Sequence, residues 1–303
     1  MGIFANPLTD LLEYEDFSRD FLKGTDPVGM TGCIDSEKVH FMSTFLGEKK
    51  VQLVVTYNEQ RAREIEEDYK LFCSQVYVIP PRDLIFFSAD LQGNAIIAER
   101  MKAFAALYQN EAKVIITTMD ALMSAAVPFE QLMSHVIKLK EGDELDLEKL
   151  KHDLTVMGYE RVGRVEEPGQ FTVHGGIADV YPLTMEVPVR IELWGDEIDT
   201  IRCFEPQSQR SMDQIECVSV FPAAEVIADD TARRRAVGMI QNELESQLAV
   251  FKKVKEPDKA KRLREETNRI LEALGEDVVL EAPDSYISYF YPRTVQLSEY
   301  FDE

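Results

Sequence analysis

Two short stretches of this 303-residue chain hold residue types that could do chemistry. Residues 29–36 read Gly-Met-Thr-Gly-Cys-Ile-Asp-Ser, which has the glycine-rich character of a loop that cradles nucleotide phosphates. Residues 189–194 read Val-Arg-Ile-Glu-Leu-Trp and bring an arginine close to the only tryptophan of the chain. The first stretch would bind a nucleotide, and the second would bind a protein partner.

The glycine-rich stretch departs from a working phosphate loop where the chemistry is most demanding. In the pattern GxxxxGK[ST], glycines let backbone N–H groups approach the phosphates, and the lysine reaches the outer phosphates. Gly29 and Gly32 are present, but Ile34, Asp35 and Ser36 stand where a working loop has Gly, Lys and Thr. The branched side chain blocks close backbone approach, and the carboxylate puts a negative charge where a cation is needed. We therefore predict a degenerate, non-functional nucleotide loop.

The stretch 189–194 alternates apolar and polar side chains, so we expect a strand with one face in the core. Arg190, Glu192 and Trp194 then share the face that meets water. Two hypotheses are open for this face. In one, Trp194 lies under a neighbouring loop and Arg190 pairs with a carboxylate. In the other, both residues anchor a partner, because Trp and Arg are enriched at interface hot spots.

No other pattern in the sequence indicates catalysis or metal binding. The motifs GxSxG and HExxH are absent, the four cysteines lack CxxC spacing, and the four histidines form no metal-spaced cluster. Carboxylates are abundant, but none has the supporting partners of a general acid or base. We predict that this chain has no catalytic residue, no metal site and no cofactor.

Composition and charge exclude several classes of protein. A net charge of −22 disfavours a stand-alone nucleic-acid binder, because phosphate contacts need a basic surface. Residues 252–269 are an exception, with eight Lys and Arg against four Asp and Glu; they either contact a partner or form a solvated helical hairpin. No apolar run approaches the ~18 residues that span a bilayer, and residues 1–10 lack the features of a signal peptide. We expect a cytoplasmic protein without membrane contact.

Secondary-structure patterns predict an α/β fold with an inserted domain. Apolar runs at 51–56, 76–79 and 114–118 alternate with helical patterns at 58–72 and 95–108, which is typical of a parallel sheet covered by helices. A helical pattern at 143–157 is followed by short β-branched runs with Gly and Pro breaks, which indicate antiparallel hairpins. Helix returns at 231–251. We predict a first part at 1–134, an inserted α+β domain at 135–222, and a helical return at 223–303 that completes the first domain.

Three runs carry a resemblance to a known family. They read GQFTVHGGIADVYPL, VPVRIELWGDEIDTIRCFEPQSQRS and FPAAE, and they resemble the amino-terminal module of the bacterial transcription-repair coupling factors. That module is similar to the repair protein UvrB, which has the related pattern G-x-F-x-x-R-G, then R-x-E-x-x-G-D-E-I-D. The resemblance implies a degenerate P-loop, helicase-like parallel-sheet domain (UvrB domain 1-like) with an inserted small α+β domain (UvrB domain 2-like).

The same resemblance implies a docking function for the inserted domain. In the family this domain binds the damage-recognition protein UvrA. Carried over to this sequence, the UvrA-binding residues are Arg190, which matches a family Arg, and Trp194, which replaces a family Phe. His174 stands where the family has Arg, so it departs from the pattern.

The resemblance also implies that the chain is a fragment of a longer protein. The parent would be an ATP-driven DNA translocase that displaces RNA polymerase stalled at damage. Its motor would use ATP and Mg²⁺, and it would contact RNA polymerase and double-stranded DNA through parts beyond residue 303. The alternative is an active, nucleotide-dependent DNA-remodelling module of the UvrB or helicase type, which would bind nucleotide at residues 29–36.

Overall fold

The computed structural model describes residue 8 and residues 14–24, 27–47, 51–82, 91–227, 229–275 and 286–301. The chain divides into two compact units. One comprises Met1–Pro81 and Ala106–Leu122, and the other comprises Arg82–Ala105 and Met123–Glu303. The domain boundaries expected at residues 134 and 222 stay predictions.

The first unit is built on a parallel three-stranded sheet with the order β1-β3-β2. Its apolar core lies between this sheet and helix α3, which buries Ala62, Ile65 and Tyr69 against Val76, Val78, Val114 and Ile116. The parallel sheet and its strands confirm the pattern-based prediction for this part of the chain. The elements are α1 (Tyr14–Lys23), α2 (Asp35–Ser43), β1 (Gln52–Thr56), α3 (Glu59–Lys70), β2 (Val76–Ile79), α4 (Leu91–Tyr108, which contributes residues to both units), β3 (Val114–Thr118) and α5 (Met119–Leu122).

The second unit contains an antiparallel meander that forms most of a six-stranded sheet. The strands run in the order β11-β10-β9-β8-β7-β6, and helix α7 packs its Leu150 and Leu154 into the core formed with the sheet. This is the small α+β architecture that the hairpin signals predicted. The elements are β4 (Ala125–Ala126), α6 (Phe129–Met133), β5 (Ile137–Lys140), α7 (Leu147–Val156), β6 (Glu160–Arg161), β7 (Gln170–His174), β8 (Ile177–Val180), β9 (Val189–Trp194), β10 (Glu197–Phe204), β11 (Ser211–Gln214) and β12 (Cys217–Val220), which pairs with β5.

The last part of the second unit is helical, as its sequence pattern predicted. Helices α8 (Asp230–Lys253) and α9 (Pro257–Gly275) form an antiparallel hairpin, and α10 (Ile287–Phe290) follows. Strand β13 (Val295–Gln296) pairs with β4, and a 3-10 helix spans Leu297–Phe301. The Tyr300 hydroxyl donates a hydrogen bond to the carbonyl of Val127 at 2.6 Å, which fixes this end of the chain to the segment before α6.

None of the helices in the described ranges is long and apolar enough to cross a membrane. No group of three or more His, Cys, Asp or Glu side chains in those ranges could hold a metal ion.

A buried ion network joins three segments of the second unit. The Glu225 carboxylate lies between Arg82 and Arg100, and all three side chains are at most 9% exposed. The Arg100 Nε donates to Oε1 at 2.5 Å, its Nη2 donates to Oε2 at 3.2 Å, and Arg82 donates to the same Oε2. Arg82 also donates to the Ala125 carbonyl at 2.8 Å. Since both cations and the anion are out of water, each depends on the others for its solvation.

We expect Glu225→Gln to lower the free energy of unfolding of the second unit by about 3–5 kcal/mol, because it leaves buried arginines without their anion. Urea denaturation followed by circular dichroism measures this. The matched control is Glu186→Gln, which removes an ion pair to Lys102 from a carboxylate that is 89% exposed and should cost little. Equal effects of the two substitutions would contradict the assigned role of the network.

The same network predicts a pH dependence. Burial alone would raise the pKa of Glu225, but the charges and hydrogen bonds of Arg100 and Arg82 outweigh it and lower the pKa from 4.5 to about 2. A lowered folded-state pKa contributes stability that is complete above the unfolded-state value and is lost as pH falls through the folded-state value. We expect wild type to lose its stability advantage over Glu225→Gln between about pH 4.5 and about pH 2. A difference that stays constant over this window would contradict the assignment.

Candidate functional site

The candidate docking surface is one face of the six-stranded sheet, here called the outer face. Strand register places Arg190 opposite Asp179 on β8 and opposite Arg202 on β10, and it places Ile177 opposite both His174 and Glu192. The alternate side chains of the same strands form the buried core on the other face. The outer face therefore carries Thr172, His174, Ile177, Asp179, Arg190, Glu192, Trp194, Thr200 and Arg202.

One end of the outer face is covered by the chain itself. Val165, Tyr181 and Phe204 form a small buried cluster there. The Gln209 side chain donates to the Val165 carbonyl at 3.1 Å and to the Pro206 carbonyl at 2.7 Å, which ties the loop at 205–210 to this end. A partner therefore cannot reach the sheet at this end without moving the loop.

Arg190 marks the boundary of the covered end, and its side chain is only 22% exposed. Its Nε and Nη2 donate to the two carboxylate oxygens of Asp179 at 2.8 and 2.7 Å, and its guanidinium lies 4.8 Å from the ring centroid of Phe204. The hydrogen bond to Asp179 raises the pKa of Arg190, although burial acts in the opposite direction. The sequence left two hypotheses for Arg190, pairing with a carboxylate of the same chain or anchoring a partner. The structure shows that Arg190 pairs with a carboxylate, that of Asp179.

Trp194 has the opposite environment. It ends β9 at the tip of the β9–β10 hairpin and is 84% exposed. The turn that follows begins with Gly195 at φ +68°, a backbone conformation that a glycine adopts without strain. No loop within the described residues covers this side chain, so the hypothesis that Trp194 is buried under a loop is wrong.

The three residues singled out from the sequence share the outer face but not one environment. His174 is exposed at the end of β7, Trp194 is exposed at the hairpin tip, and Arg190 is largely engaged by Asp179. The structure adds Ile177, which is 41% exposed beside His174, and Arg202, which lies directly opposite Arg190. The two-residue turn Gly175-Gly176 pairs Ile177 with His174 across a hairpin, and this turn carried the signal for Ile177 in the sequence. Arg202 could be identified only from the register of β9 and β10.

The glycine-rich stretch at 29–36 leads into a helix whose first turn is acidic. Helix α2 begins at Asp35, and its N-cap residue Ile34 donates its N–H to the Glu37 carboxylate at 3.0 Å. Asp35 pairs with Lys38 at 3.2 Å and with Arg61 at 3.4 Å. A phosphate loop joins a strand to a helix, and residues 27–34 contain no strand. The carboxylates thus occupy the helix end where a phosphate would otherwise be stabilised.

Comparison with known proteins gives matches over the candidate surface and over most of the chain. Residues 137–225 match the family model of the UvrB interaction domain. The transcription-repair-coupling factor of Bacillus subtilis (strain 168) is 29% identical over 301 residues, which cover 97% of this chain and 25% of that protein. The corresponding protein of Staphylococcus haemolyticus (strain JCSC1435) is 33% identical over 231 residues, which cover 75% of this chain and 19% of that protein. The chain spans about a quarter of the length of the curated relatives it matches.

We expect Arg190→Ala to lower the free energy of unfolding by about 1–3 kcal/mol, because it leaves the buried carboxylate of Asp179 without its donor. The double substitution of Arg190→Gln with Asp179→Asn removes both charges and should recover part of this loss. Trp194→Ala should change stability by less than about 0.5 kcal/mol, because the side chain is exposed. Urea denaturation measures all three, and an unchanged stability of Arg190→Ala would contradict the role given to the pair.

Proposed function

Because this chain is homologous to the transcription-repair-coupling factors and residues 137–225 match the UvrB interaction domain, we propose that its outer face docks UvrA. The observation that carries the proposal is the exposure of Trp194 at the hairpin tip of the matched domain. A solvent-exposed tryptophan with an exposed isoleucine on the same sheet face is the kind of anchor that dominates protein interfaces.

The free energy gained by burying apolar surface favours Trp194 as the main anchor. A tryptophan covered by a partner removes on the order of 200 Å² from water, which at about 25 cal/mol per Å² is worth several kcal/mol before the costs of association. His174 and Ile177 extend the accessible part of the face on β7 and β8. Arg190 serves mainly to hold the strands in place, since its charge is already matched by Asp179.

Charge supports a protein partner over a nucleic acid. Residues 151–222 hold six Lys and Arg against thirteen Asp and Glu, so this part of the chain carries −7. Such a surface repels phosphates and suits a partner with a basic surface.

The role of the whole protein is a further part of the proposal. Within a longer, cytoplasmic protein, the chain would recruit UvrA to RNA polymerase stalled at damaged DNA. The parent would be an ATP-dependent DNA translocase, and its contacts with RNA polymerase and double-stranded DNA would lie in other parts of it. This chain would contribute docking and no catalysis.

We expect Trp194→Ala to weaken binding of UvrA at least about thirtyfold, as loss of an interface hot spot of about 2 kcal/mol requires. A titration of the wild-type and variant chains against UvrA measures this. The matched control is Tyr57→Ala, which removes another exposed aromatic side chain (77%) from the first unit and should leave affinity unchanged. Equal affinity of wild type and Trp194→Ala for UvrA would contradict the proposal that this face docks UvrA.

The nucleotide-dependent alternative is tested separately. We propose that residues 29–36 bind no nucleotide, because Asp35 and Glu37 place two carboxylates in the first turn of α2. Millimolar MgATP should therefore leave the thermal midpoint of the first unit unchanged, since only a ligand that binds the folded state raises it. A midpoint that rises with MgATP concentration would favour the DNA-remodelling module instead.

A further inference from the structure

Arg202 on β10 is a cation of the outer face to which the described residues supply no carboxylate partner. It lies directly opposite Arg190 on β9 and opposite Gln214 on β11. Like charges in direct cross-strand positions are unfavourable, so the pair depends on neutralisation by anions. The Asp179 carboxylate neutralises Arg190 and accepts two hydrogen bonds from it.

Two polar neighbours of Arg202 make hydrogen bonds to other residues. Gln214 donates its side-chain amide to Glu141 at 2.7 Å. Glu192, a diagonal neighbour by register, accepts a hydrogen bond from the Thr200 hydroxyl at 3.4 Å. No carboxylate of the residues that the structure describes lies within 4 Å of the Arg202 guanidinium.

One donor of this guanidinium is also out of water. The Nε of Arg202 is buried and has no hydrogen-bond acceptor among the described residues, although the side chain as a whole is half-buried rather than enclosed. A buried donor without an acceptor carries a desolvation penalty, and an external anion cannot reach this Nε directly. The terminal Nη donors of the half-buried side chain remain accessible, and these can meet an anion.

We propose that Arg202 recognises a carboxylate side chain of the docked protein and thereby sets the orientation of that partner on the sheet. This inference rests on the docking function proposed above. Trp194 supplies the apolar anchor at the hairpin tip, and Arg202 supplies a polar contact further along the same hairpin, beside the covered end of the face. A guanidinium fits a carboxylate because its planar donors can meet both oxygens.

The test is a titration of UvrA against the full chain carrying Arg202→Gln, Arg202→Lys or Arg202→Glu. We expect about a tenfold or greater loss of affinity for Arg202→Gln, a larger loss for Arg202→Glu, and a smaller loss for Arg202→Lys. The dependence of affinity on salt should also become shallower in Arg202→Gln, which a merely structural role would not cause. The thermal midpoint of Arg202→Gln should not fall below that of wild type, because no internal ion pair is lost and an unfavourable like-charge contact is removed.

The matched control is Arg262→Gln, which makes the same charge change at an exposed position of α9 and should leave affinity unchanged. If Trp194→Ala weakens binding while Arg202→Gln binds like wild type, the role of Arg202 is overturned and the docking function stands. If the wild-type chain does not bind UvrA, the docking function and the role of Arg202 are both overturned. A lowered midpoint of Arg202→Gln with unchanged affinity would make Arg202 a structural residue.

Discussion

The second unit depends most on one interaction, the buried ion pairing of the Glu225 carboxylate with Arg82 and Arg100. Glu225 follows strand β12, yet its two cationic partners, Arg82 and Arg100, precede strand β5 in the chain. The segment before it is held equally closely: the Tyr159 hydroxyl donates to the Phe221 carbonyl at 2.7 Å. Gly158 has φ +90°, and a Cβ at Gly158 would lie 2.8 Å from that of Ala224. A side chain at Gly158 would therefore push this segment, and the carboxylate with it, out of place.

The outer face shows how one sheet can be both structural and accessible. At one end, loops cover it and bury an aromatic cluster, and a paired arginine closes the boundary. At the other end, the β9–β10 hairpin presents its tryptophan to solvent. Since the opposite face of strands β7 to β10 is buried in the core, the outer face is the side of these strands that is available to solvent.

In the first unit, one acidic side chain has two structural roles. Asp35 stands at the start of α2, where an acidic side chain stabilises the helix end, and it also pairs with Arg61 from α3. The same carboxylates that favour the helix make its first turn a poor place for a phosphate.

The sequence by itself determined the secondary structure around the site. The period-two alternation of residues 189–194 and the turn at Gly195 depend on local sterics and on apolar contacts within a hairpin, and both are readable from neighbouring residues. Family resemblance singled out Arg190, Trp194 and His174. Tertiary structure alone decided which of these side chains is accessible, because burial depends on loops distant in the chain, such as the one that holds Gln209. It also decided which arginine is neutralised. The pairing of Arg190 with Asp179 and its position opposite Arg202 follow from strand register, which sequence periodicity leaves open.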